Sequence, residues 1–287
     1  MYVQNIQPAK PYNPNFTSIL PSLSNFYQYK DDNDYISTVR ETQLTTGKRD
    51  DWNLKKMARI INHRFPKSQR VNIMPMNVSD GTEAYFIFKY LVEEVGGLDE
   101  FEKRFSHIAA SDVCGEVLDK YPRQGRVDLS LKEAKELRIF GEPMFEQISD
   151  KPTQVRGNFV YYPYRLKEKF RKYFTFETCD FQKRLKNFHD EGNSVVFIRN
   201  CLRQSFGDTS AHIVYKVAKK LQGASLFVTG GYDRVMTVFE DALEIHFREL
   251  DKNVWGKQEY GIFDSAEKFL TNATKTLQNL KNRLKFK

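Results

Sequence analysis

The residues of this chain best placed to do chemistry sit where apolar runs give way to polar turns. In Val71-Asn72-Ile73-Met74-Pro75-Met76 an apolar run leads into a short polar turn centred on Gly81, and an apolar segment long enough for a helix follows to about Val95. That is how a strand feeds a helix in an α/β sheet, and ligands of such sheets lie beyond the carboxyl ends of the strands, where backbone N–H groups and helix N-termini are free. Gly81 lets a ligand approach the backbone, and Glu83 offers a carboxylate in the first helical turn. The plainer reading is an ordinary strand-to-helix connection with a charged first turn. A second apolar run, Phe105 to Asp112, closes on a carboxylate. An acid at the end of the second strand is the position that accepts hydrogen bonds from the ribose of an adenosine cofactor. Its plainer reading is an N-cap for a helix from Gly115 to Lys120.

These positions need a sheet to hold them, and the rest of the pattern supplies one. A third strand, Tyr173 to Thr178, ends at Cys179-Asp180-Phe181. A fourth, Asn193 to Asn200 with the core Val195-Val196-Phe197-Ile198, ends at Arg199-Asn200, and a fifth runs from Ala224 to Thr229. Continuous rather than alternating apolar runs suit central parallel strands buried on both faces. A helix from Thr209 to Leu221 separates the last two. Leu243 to Leu250 alternates and reads as a half-exposed edge strand, with Gln258 to Phe263 as its partner. Pro122 to Val160 loosens into charged turns, an excursion between the second and third strands, and Arg165 to Lys172 reads as a strongly basic helix. Upstream, Asp51 to Ile61 spaces Trp52, Met57, Ile60 and Ile61 as a helix does.

At 287 residues the chain can bury a substantial core, and with 40% hydrophobic and 14% aromatic residues it is not a disordered chain. No apolar run is long enough to span a bilayer, and the first residues lack the layout of a signal peptide, so the expectation is a cytoplasmic protein. Cys114, Cys179 and Cys201 are far apart and in no metal-ligand spacing, which predicts reduced thiols and no metal centre. The net charge of +8 points to an acidic partner. Nucleic acid is the lesser alternative, since no zinc knuckle, aromatic RNA-binding strand or helix-turn-helix pattern accompanies the charge.

Taken in order, the motifs resemble those of the chemoreceptor glutamate methyltransferases, the CheR family. That family's first turn reads roughly Ala-Cys-Ser-Thr-Gly-Glu-Glu-Pro-Tyr, and here Asn77-Val78-Ser79-Asp80-Gly81-Thr82-Glu83-Ala84-Tyr85 stands in its place. Ala110-Ser111-Asp112-Val113-Cys114 is similar to its Ala-Thr-Asp-Ile-Asp. Phe176 through Asp180-Phe181 resembles the end of its third strand, and Ile198-Arg199-Asn200-Cys201-Leu202 its Cys-Arg-Asn-Val-Leu. Gln43-Leu44-Thr45-Thr46-Gly47-Lys48-Arg49 is similar to its Asn-Leu-Thr-x-Phe-Phe-Arg. The likeness covers roughly Val39 to Asp233. The chain departs from the family at Gly47-Lys48, which replace paired phenylalanines, at Thr82, which replaces a glutamate, and at Gln204 or its neighbours Arg203 and Ser205, where the family carries a tyrosine.

The resemblance implies an α/β fold of the Rossmann-like class I methyltransferase type: a sheet mostly parallel with an antiparallel edge, preceded by a short helical region. It divides the chain into an irregular arm (1–34), a short helical region (35–66), the methyltransferase domain (67–264) and a basic C-terminal helix (265–287). It implies S-adenosylmethionine as cofactor, surrounded by Thr45, Arg49, Gly81, Glu83, Asp112, Asp180, Phe181, Arg199 and Asn200. Glu83 would meet the cofactor's amino-acid end, Asp112 the ribose, and Asp180-Phe181 the adenine. Arg49, with Arg40 as substitute, would orient the acceptor, a protein substrate with an acidic side chain. A sulfonium methyl is already activated and a carboxylate is already a nucleophile at pH 7, so such a site needs positioning and water exclusion rather than a base. Three functions therefore stand: methyl transfer to a protein glutamate, a catalytically degenerate relative that binds or scaffolds, and a basic nucleic-acid-binding or RNA-modifying protein.

Overall fold

The computed structural model describes residues 54–156, 159–179, 181–199, 208–230, 243–244 and 246–257. The expected arm, most of the short helical region and the C-terminal basic helix lie outside them, as does Gln258–Phe263. Among the described residues no helix is long and apolar enough to cross a membrane.

The chain enters with helix α1 (Leu54–Arg64), which buries Leu54, Met57, Ala58 and Ile61. Strand β1 (Val71–Met76), helix α2 (Thr82–Val95), helix α3 (Leu98–Arg104) and strand β2 (Phe105–Asp112) follow, then helix α4 (Gly115–Lys120). The excursion after it is ordered. It holds β3 (Arg126–Ser130), α5 (Leu131–Glu136), β4 (Arg138–Ile139), β5 (Glu142–Pro143), β6 (Phe145–Gln147), β7 (Gln154–Arg156) and β8 (Phe159–Leu166). The chain then returns through α6 (Glu168–Arg171), β9 (Phe174–Thr178), α7 (Phe181–Asn187), β10 (Ser194–Ile198), α8 (Asp208–Lys220), β11 (Leu226–Thr229), β12 (Phe247–Asp251) and β13 (Val254–Lys257).

Seven strands form one sheet in the order β12-β13-β11-β10-β1-β2-β9. The pairs from β9 across to β11 are parallel, while β13 is antiparallel to both β11 and β12. This is the Rossmann-like layout expected from the sequence, mostly parallel with an antiparallel edge. The strand order reverses between β1 and β10, so the crevice above that pair is the sheet's topological switch point. Alternation along β1 feeds two apolar layers: Val71 and Ile73 pack with α1 and α2, whereas Met74 and Met76 pack with α7 and α8. Both faces are thus covered, which is why the central strands read as unbroken apolar runs.

Two expectations are corrected. The basic helix from Arg165 to Lys172 is not formed: Arg165 and Leu166 end β8, and the helix is only Glu168–Arg171. The tyrosine-rich run before Arg165 favours a pleated strand, and its antiparallel pairing with β3 and β6 overrides the helical charge pattern. The edge strand begins at Phe247, because Leu243 and Glu244 are helical and Leu243 is fully buried in the core. Its partner is Val254–Lys257, a tight antiparallel neighbour whose Trp255 donates Nε1–H to Thr229 Oγ1 at 3.0 Å.

One guanidinium fastens α1 to the sheet. Arg104, at the end of α3, donates from Nη2 to the carbonyls of Asn62 (2.8 Å) and Phe65 (2.6 Å) and from Nη1 to that of Gln69 (2.9 Å) and that of Pro66. These oxygens belong to the last turn of α1 and the loop beyond it, where helix carbonyls lack intrahelical donors. Arg104→Ala is expected to lower stability by about 3 kcal/mol or more, because several carbonyls lose a charged donor at once. Arg104→Lys is expected to fall between the two, since one ammonium cannot reproduce the fork. Urea midpoints of the three proteins check both expectations.

Candidate functional site

The turn after β1 is built against its own preferences. Asn77, Ser79 and Gly81 have φ of 60°, 51° and 82°, so three residues in five adopt the left-handed region. For Ser79 that conformation is costly, and neighbouring structure must hold it. Asp112 does so: its Oδ2 accepts from Ser79 N–H at 2.8 Å, and its Oδ1 accepts from Cys114 N–H at 2.9 Å. The carbonyl of Ser111 accepts from Val78 N–H at 3.2 Å. The end of β2 therefore clasps the turn that follows β1. Burial pushes the Asp112 carboxyl above its ordinary range, and the N–H groups of Cys114, Ser79 and Val113 pull it partway back.

Helix α2 starts at Gly81 without a side-chain cap from that residue. Asp80 serves instead, with Oδ1 accepting from Thr82 N–H at 3.0 Å. Glu83, in the first turn, points toward the end of β10. Its Oε2 lies 3.0 Å from Nη1 of Arg199, the residue just after β10, and the two side chains are only 9% and 4% exposed. A buried carboxylate and guanidinium thus meet at the switch point between β1 and β10.

Of the residues singled out in the sequence, Gly81, Glu83, Asp112 and Arg199 come together around this turn. Phe181 does not join them: it starts α7 and packs in the apolar layer with Met74, Met76 and Leu185. Thr45, Arg49, Asp180 and Asn200 lie outside the described residues, as do Arg40, Gly47-Lys48, Cys201 and Gln204. Neither Cys114 nor Cys179 forms a disulfide.

Gly81 is needed for a different reason from the one its sequence position implies. A Cβ there would stand 2.9 Å from Cβ of Pro122 and 3.2 Å from the ring of Phe176, so the space only glycine leaves is filled by this chain's own side chains. Val113 was missed by sequence reasoning. It follows Asp112 at the strand end and is 57% exposed, an apolar side chain on the rim beside the clasped turn. An isolated valine carries no chemical signal, and only its position at the end of β2 marks it.

No family model and no curated protein sequence matches the chain. Among solved structures it is similar to an O-methyltransferase family protein from Burkholderia thailandensis, at 9% identity over 84% of this chain and 77% of that one, with a TM-score of 0.35. That likeness is too distant to assign anything by itself.

Removing Glu83 alone leaves a buried guanidinium without its carboxylate. Glu83→Ala is expected to cost about 3–5 kcal/mol, and the paired change Glu83→Met with Arg199→Met to recover at least half of the loss. Chemical denaturation of the wild type, the single variant and the double variant measures both.

Proposed function

We propose that the chain is a methyltransferase that binds S-adenosylmethionine at the carboxyl rim of the sheet and methylates a protein carboxylate, a glutamate side chain. The observation that carries the reading is the meeting of Glu83 and Arg199 at the topological switch point, where open α/β sheets take their ligands. The α-amino-acid end of the cofactor is a zwitterion, and a carboxylate beside a guanidinium offers one partner for each of its charges. Val113 supplies exposed apolar surface beside the end of β2, suited to the flat face of a base. The residues present therefore fit the group. When bound, the cofactor supplies a methyl already activated for attack. The chain's own part is to fix both ends of that ligand, exclude water, and hold an acceptor carboxylate that needs no base.

A second reading, a degenerate relative that binds without catalysis, is favoured by two observations. Gly81 is closed by Pro122 and Phe176, and both oxygens of Asp112 are engaged by main-chain N–H groups. The strongly basic helix from Arg165 to Lys172 that would have suited nucleic acid is not formed.

Calorimetric titration of the full chain with S-adenosylmethionine and with its demethylated product separates the first two readings. The methyltransferase reading expects a dissociation constant on the order of micromolar for at least one of them. Val113→Lys is expected to weaken it about tenfold or more with no change in melting temperature, since the side chain is exposed. No heat with either compound leaves the non-catalytic reading. Given binding, transfer to a glutamate is expected to place a labelled methyl in a base-labile ester on an acceptor protein.

A further inference from the structure

Beside the clasped turn, on the flank formed by β9 and the inserted segment, lies a cavity of about 180 Å³ lined by Pro122, Arg123, Leu166, Arg171, Phe174 and Phe176. It has two guanidiniums on otherwise apolar walls. Both are held in place by the chain. Arg123 donates from Nε to the carbonyl of Phe176 (3.0 Å), from Nη2 to Thr178 Oγ1 (2.8 Å) and from Nη1 to Asp119 (2.7 Å). Arg171 donates from Nη2 to the carbonyl of Arg123 (3.2 Å) and from Nη1 to Glu168 (3.1 Å). The two arginine side chains are 33% and 40% exposed and their acidic partners Asp119 and Glu168 67% and 84%, so water screens both ion pairs.

Behind two of the walls, Tyr85 packs its ring edge-on against Phe174 and Phe176, with centroids 5.0 and 6.1 Å away, and so backs the apolar side of the cavity.

We propose that this cavity binds a carboxylate carried on a short aliphatic stem. The guanidiniums of Arg123 and Arg171 take the anion, and Phe174, Phe176, Leu166 and Pro122 pack the stem. A monoanion suits the site better than a phosphate. Four of the six lining residues are apolar, a packing that an aliphatic stem uses and a phosphate does not. The site is distinct from the Glu83–Arg199 rim and does not rest on methyl transfer.

Thermal shift and calorimetry on the full chain test it, with butyrate and the α-methylamide of N-acetylglutamate as probes. Butyramide, the corresponding glutamine compound and inorganic phosphate are the controls, all at matched ionic strength. Both acids are expected to bind saturably, with each amide at least about tenfold weaker. Tighter binding of the glutamate probe identifies a peptide side chain as the ligand's source, and equal or tighter binding of butyrate a free organic acid. Arg171→Gln is expected to weaken the acids about tenfold or more. Amides that bind as well as acids, phosphate that binds more tightly than either acid, or undiminished affinity in Arg171→Gln each overturns the proposal.

Discussion

A buried ion pair at the point where the sheet changes direction constrains the rest of the molecule. Glu83 is carried by the helix that leaves β1, and Arg199 by the chain that leaves β10, so their contact at 3.0 Å fixes the first crossover helix against the neighbouring strand's end. Two charges with less than a tenth of their surface in water are desolvated at a cost of several kcal/mol each, and their mutual attraction offsets this only when the geometry is maintained. Apolar residues of similar volume would hold the same junction with less risk. A charged pair in that place is therefore weak evidence for stability and better evidence for a role in which charge is used.

The neighbouring turn follows the same logic with the opposite assignment. Asp112 stands where an acid meets a cofactor's ribose in many α/β sheets, yet both its oxygens accept main-chain N–H bonds, one of them from a serine in the left-handed region. The carboxylate is thereby committed first to the shape of the turn. A ligand at this rim has to share it through the remaining lone pairs, and the charge of Glu83 and Arg199 becomes the larger part of any recognition.

The five parallel strands were legible as apolar runs between polar turns, nearly unbroken in β10 and β11 but alternating in β9 at the edge, and β2 and α4 match their expected limits of Phe105–Asp112 and Gly115–Lys120. The inserted sheet was not legible. Apart from β8 its strands are short, and β6 has only Phe145 buried among Phe145–Gln147, so periodicity had little to register. Arg165 shows the converse failure, a charge read as helical surface that an antiparallel ladder holds in a strand. At the site, Gly81, Glu83, Asp112 and Arg199 were found by their places at strand ends, whereas the closing of Gly81 by Pro122 and Phe176 depends on contacts that no local pattern encodes. Arg123 and Arg171 were equally hidden. Each is one basic residue among many until the insertion brings them side by side.

The insertion itself is what links the turn to the second cavity. It begins with Pro122 and Arg123 and returns at Leu166 and Arg171, so four of the six cavity walls come from its two ends, and Phe174 and Phe176 on β9 supply the others. Pro122 and Phe176 are also the two side chains pressed against Gly81. A molecule held between those walls bears on the same ring that covers the turn, and a shift of that ring changes the space at the start of α2. Close packing transmits such displacements rather than absorbing them. The turn at the switch point and the cavity beside β9 are thus joined through one phenylalanine and one proline.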